Sequence, residues 1–190
     1  MNTQEHPSEN HLSVIAATEV WLEKAVIGLN LCPFAKAVHV KKQIRFVVSD
    51  ATTPEALLST LMDELQMLSD LDPEQVDTTL LIHPYVLNDF QDYNEFQDVV
   101  DAALEDLDLV GQLQVASFHP HYQFANSGPN DIDNYTNRSP YPTLHLLREE
   151  SIGRALAGFP RAATIFEKNI ETLRQLGRAG WDKLGLPQTR

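Results

Sequence analysis

TLLIHPYVLNDFQDYNEFQDVVDAALEDLDLVGQLQVASFHP, residues 79–120, holds two extended runs with a helical pattern between them. The first run, Thr79 to Ile82, is closed by His83-Pro84. Proline has no N–H to give to a strand ladder, so it marks the end. From about Gln91 to Leu107, the residues Phe96, Val99, Val100, Ala103, Leu104 and Leu107 recur at helical spacing. Leu113 to Phe118 then reads as a second strand, closed by His119-Pro120 in the same way. Strands separated by a helix imply a crossover connection and a sheet that is at least partly parallel. If the strands are parallel, both His-Pro pairs fall at the C-terminal edge of the sheet, where open α/β sheets bind ligands.

The flanking sequence extends this pattern. Ser13 caps a first helix running to about Leu29, with Ile15, Leu22, Val26 and Leu29 on one stripe and Trp21 beside it. Ile44 to Val48 reads as a strand. Thr53-Pro54-Glu55 is a helix start: a capping hydroxyl, a proline in the first turn, and an acid at the positive end of the dipole. Leu57, Leu58, Leu61, Leu65 and Leu68 then carry its apolar face. Pro142 or Thr143 opens a helix to about Leu156, and a last helix follows Pro160 to about Gly177. The order is α-β-α-β-α-β-α-α. It predicts an α/β (or α+β) fold with a small three-stranded sheet, alternating helices and two C-terminal helices. A ferredoxin-like arrangement with an antiparallel strand also fits. One domain is expected over 13–180, with a disordered N-terminal tail at 1–12 and a C-terminal tail at 181–190.

Composition narrows the function classes. Apolar residues make up 43% of the 190 residues, enough for a core. The formal net charge of −13 argues against non-specific nucleic-acid or anionic-membrane binding, since both need a basic surface. Residues 46–137 hold eighteen Asp and Glu and no Lys or Arg, whereas all fourteen cations lie in 24–45 and 138–190. The acidic middle reads as a solvated helix surface. The single cysteine, Cys32, excludes an intrachain disulfide and suits a reducing compartment. No apolar run approaches the roughly 20 residues of a membrane helix. The opening MNTQEHPSENH lacks the pattern of a signal peptide, so a cytoplasmic location is expected.

Four longer motifs carry a resemblance: LNLCPFAK (29–36), LLIHPYVLNDFQDYNEF (80–96), LQVASFHPHYQF (113–124) and NYTNRSPYPTLHLLRE (134–149). Together they resemble a family of small bacterial proteins catalogued as a domain of unknown function, from about Val20 to Gly177. The resemblance implies a bacterial, single-domain protein and assigns no catalytic residue.

Candidate chemistry therefore rests on residue types and spacing. Residues 118–148 form a long connection rich in histidine, tyrosine and proline, and a connection of that length is commonly functional. Cys32 precedes Pro33 and reads as the N-cap of a short helix from Pro33 to Ala37, where the dipole favours a thiolate and Lys36 lies one turn on. The alternative is a small buried hydrophobe. His119 and His121, spaced i, i+2, face one side of an extended segment and suit a general base or metal ligands. His145 on the following helix, with Cys32, would complete a Cys-His₃ set, although no standard metal spacing is present. Loop hydrogen bonding is the plain alternative for these histidines.

Asn137-Arg138-Ser139-Pro140-Tyr141-Pro142 leads into a helix N-terminus, and Arg138, Arg148 and Arg45 offer forks for an anion. The competing reading pairs these arginines with acids such as Asp131 or Asp133. No glycine-rich phosphate loop and no GxSxG elbow occurs. Three functions fit. The first is an enzyme on a small anionic metabolite, with Cys32 as nucleophile, His119 or His121 as base, and Lys36, Arg45, Asn137, Arg138, Tyr141, His145 and Arg148 on the substrate. The second is a metal protein using His119, His121 and His145. The third is a binding module gripping a partner through Tyr122, Phe124, Tyr135 and Tyr141. Cofactor and oligomeric state stay open.

Overall fold

A computed structural model describes residues 9–157 and 164–187. Its centre is a sheet of four strands: β1 (Ile44–Val48), β2 (Thr78–Ile82), β3 (Leu113–Phe118) and β4 (Thr143–Arg148). They lie in the order β1-β2-β4-β3. β1 and β2 pair in parallel, and β4 is antiparallel to both β2 and β3. β1, β2 and β3 therefore run the same way, as their alternation with helices implies. The sheet is mixed and has one strand more than the three expected.

That fourth strand replaces the start of a helix expected from Pro142 or Thr143. Leu144 and Leu146 point to one face and Thr143, His145 and Leu147 to the other, so the segment has a period of two. It fills the slot between β2 and β3, pairing Leu81 with Leu144 and Val115 with Leu146. Two ladders satisfy its backbone, which outweighs the helix propensity of its leucines. The helix, α6 (Glu149–Ala157), begins only after the strand.

α3 (Pro54–Asp70), α4 (Phe90–Glu95) and α5 (Gln97–Asp106) cover one face of the sheet. The Thr53 hydroxyl accepts from the Ala56 N–H, as the sequence predicts for this cap. Leu57, Leu61, Leu65 and Leu68 are buried against Leu81, Leu144 and Leu146. The helix expected from Gln91 to Leu107 is broken at Phe96, and Asp89 caps its first part by accepting from the Gln91 and Asp92 N–H groups.

The other face carries α1 (Glu9–Trp21), α2 (Ala35–Val40), α6 and α7 (Ile165–Asp182). α1 begins four residues before Ser13, whose hydroxyl donates to the Asn10 carbonyl instead of capping. It continues into a π-helical turn, Leu22–Ile27, that buries Leu22, Ala25 and Val26 beside Trp21. Gly28 closes this turn, and a Cβ there would collide with the Lys24 carbonyl. α2 starts at Ala35 with Phe34 as its N-cap, so Cys32 precedes the helix and does not cap it. α7 breaks at Gly177 (φ 62°, ψ 173°), the residue at which the sequence predicts its end. The start expected after Pro160 lies outside the described residues, as does most of the 1–12 tail. Among the described residues no helix is long and apolar enough to cross a membrane.

Candidate functional site

The parallel run of β2 and β3 brings His83 and His119 to the same sheet edge. Both side chains turn to the α3–α5 face and are fully buried. They flank Tyr93, with ring centroids 5.7 Å from His83 and 5.0 Å from His119. His119 Nδ1 accepts from the His121 N–H at 3.0 Å, so Nε2 carries the proton and donates to the Leu87 carbonyl at 3.2 Å. His83 Nδ1 donates to the Val86 carbonyl at 3.0 Å. The two His-Pro pairs thus clamp one loop, in which Leu87 takes a left-handed φ of 56°. Burial lowers both histidines to about 4 and keeps them neutral.

A cavity of about 610 Å³ lies on the opposite face, within the range of small-molecule sites. Its floor is the sheet: Thr78, Leu80, Ala116, Phe118, His145 and Leu147. Trp21, Leu22 and Val26 wall it on one side, the Cys32–Val38 segment on another, and Ser151, Ile152 and Ala155 of α6 on a third. The Trp21 and Phe118 rings meet edge to face at 5.4 Å. Strand alternation explains the floor, since the even-numbered residues of β2 and β3 point here and the odd-numbered ones into the α3–α5 core.

His145 is the one imidazole of this wall. The Thr78 hydroxyl donates to the Leu146 carbonyl at 2.6 Å, leaving its lone pair to accept from His145 Nε2–H at 2.8 Å. That tautomer leaves Nδ1 as a bare acceptor. Burial lowers the ring to about 4, so it stays neutral. One end of the cavity is polar: the Ser151 hydroxyl donates to Asp77 at 2.5 Å.

Cys32 and His145 line this one cavity, but His119 faces away from it across the sheet. His145 sits on a strand, β4, and not on the helix expected there. Arg148 borders the cavity, yet its guanidinium donates to the carbonyls of Leu68 (2.5 Å), Leu71 (2.7 Å) and Val76 (3.1 Å), tying down the C-terminus of α3. Arg45 is held by Glu64 through bonds of 2.9 and 3.0 Å. Asn137 donates to the Ser117 carbonyl, and its own carbonyl accepts from the His119 N–H. Lys36 is exposed on α2, and Tyr141 accepts through its carbonyl from Ser139 and Thr143. Arg138 and His121 share an adjoining cleft at the sheet edge, which Trp21 also lines.

Among the described residues no three His, Cys, Asp or Glu side chains are grouped to hold a metal ion. His119 and His145, two of the three expected ligands, lie on opposite faces. Trp21, Thr78, Ala116 and Phe118 also line the cavity, although no motif in the sequence marks them. The parity of the strands was a usable signal for the last three.

No curated protein and no solved structure matches the chain. A family model described as a protein of unknown function, DUF1415, matches residues 13–183. That span runs from α1 through α7 and includes every wall of the cavity, and the chain belongs to this family.

Proposed function

We propose that this domain binds a small, largely apolar molecule in the cavity beneath Trp21, with His145 Nδ1 accepting a hydrogen bond from its polar group. The observation that carries this reading is a bare imidazole acceptor on the floor of a cavity of about 610 Å³ walled by apolar side chains. An unpaired acceptor in such a place favours a ligand that donates to it. The π-helical turn that supplies Leu22 and Val26 adds support, since π turns recur at functional sites. Ala116 pairs with His145 across β3 and β4 and is the smallest floor residue. Ala116→Phe fills the space above it. The test is titration with the uncharged apolar dye N-phenyl-1-naphthylamine, read by its fluorescence and by protection of Cys32 from maleimide. Wild type binds saturably and shields Cys32, while Ala116→Phe loses both. Dye bound equally well by the filled variant would sink the reading.

A second reading makes the same cavity catalytic, because Cys32 and His145 both line it. His145 would take the place expected of His119 or His121 as base, with Cys32 as the nucleophile. Iodoacetamide labelling of Cys32 that slows several-fold in His145→Ala supports it. An unchanged rate leaves binding alone.

A further inference from the structure

The cleft at the C-terminal edge of the sheet adjoins the cavity and shares only the Trp21 wall with it. It measures about 320 Å³, and its lining includes His121, Tyr135, Arg138, Arg178 and Trp181, with one carboxylate, Asp182, that is paired with Arg178. The break at Gly177 turns the end of α7 so that Arg178 and Trp181 come back onto Tyr135. Two guanidinium groups then share one aromatic ring: Arg138 lies 4.3 Å and Arg178 5.4 Å from the Tyr135 centroid.

Each guanidinium is fixed but not used up. Arg138 donates through Nε to the Tyr122 carbonyl (3.2 Å) and through Nη2 to the Pro129 carbonyl (2.7 Å), leaving Nη1. Arg178 donates through Nε to Asp182 (3.0 Å) and through Nη1 to the Tyr135 hydroxyl, leaving Nη2. Among the described residues no carboxylate lies within ion-pair distance of Arg138, although the chain carries a net charge of −13. Carbonyls hold its position without neutralising it. The His121 ring lines the cleft with its centroid 5.9 Å from that of His119.

We infer that this cleft is an oxyanion site for a small carboxylate or phosphate group. The anion lies between Arg138 and Arg178, which supply preoriented N–H groups. This inference does not rest on the cavity reading.

The test is titration of the full chain with inorganic phosphate at constant ionic strength, followed by the arginine side-chain N–H resonances. Wild type shows saturable shifts at Arg138 and Arg178. Arg178→Gln weakens the affinity about tenfold or more, the loss of a charge-assisted donor. This variant leaves the loop bonds of Arg138 in place. Arg174→Gln, which breaks only the pair with Asp133 outside the cleft, leaves the affinity unchanged. Ala116→Phe also binds phosphate normally, so failure of the cavity reading and failure of this one are distinguishable. Shifts that rise linearly without saturating, or a loss in Arg174→Gln equal to that in Arg178→Gln, would overturn the site.

Discussion

His83, His119 and His145 are held neutral by burial, with values lowered to about 4. The unfolded chain protonates its histidines near pH 6.5. Below that pH the unfolded state takes up protons that the folded state refuses, so their stabilising contribution is complete above about 6.5 and falls as the pH drops toward about 4. Each histidine contributes a slope of up to roughly 1.4 kcal/mol per pH unit in this window. His145→Leu is expected to lower the slope by about one proton's worth, measured by urea unfolding between pH 6.5 and 4.5. An identical slope would mean that His145 is already protonated when folded. The two His-Pro pairs were legible in the sequence as strand ends at one sheet edge. Their loop-clamping role was not, because it depends on carbonyls of Val86 and Leu87 that no side-chain pattern announces. That Cys32 lines one cavity with His145, and not with His119, was also hidden, since it depends on where the segment after the π-helical turn crosses the sheet.

The elements differ in how openly the chain states them. β1, β2 and β3 are each bracketed by turn residues or proline, and their positions match the reading of the sequence. β4 reads as a helix in the sequence because Thr143–Arg148 is short, leucine-rich, preceded by proline and followed by Glu149 and Glu150. Its period-two pattern spans too few residues to win unless its neighbours are known. Its last residue links two elements. Arg148 gives the carbonyls of Leu68, Leu71 and Val76 their donors at the end of α3. Arg148→Ala leaves those carbonyls to water or to nothing and is expected to cost about 1–3 kcal/mol in urea unfolding. Arg148→Lys keeps the charge but lacks the fork, so its cost falls between wild type and alanine. Thr53→Ala at the other end of α3 is expected to cost about 1 kcal/mol, checked by the same measurement. An Arg148→Ala chain as stable as wild type would mean that water satisfies that end equally well.

For the whole molecule, the segregation of charge along the chain is partly undone by folding. Arg45 of the first cationic stretch pairs with Glu64, and Arg174 of the second pairs with Asp133. The α/β class and the parallel direction of three strands followed from the alternation of elements. The two-sided layout, with a filled core on one face and a cavity on the other, did not, because both faces show similar apolar residues. The place of β4 has a further consequence, for synthesis. Among the described residues all sheet bonds of β3 go to β4, and β4 is the last strand to be made. At roughly 5–20 residues per second, the chain takes roughly 3–12 seconds to pass from the end of β2 to the start of β4. Throughout that interval the apolar edge of β2 has no neighbour on one side, an invitation to pair with another chain. Pulse-labelled hydrogen exchange during refolding should therefore find β3 and β4 amides protected in one phase, and β3 protected before β4 would contradict it. A ribosome making this protein carries an unfinished sheet, and six residues beginning at Thr143 close it.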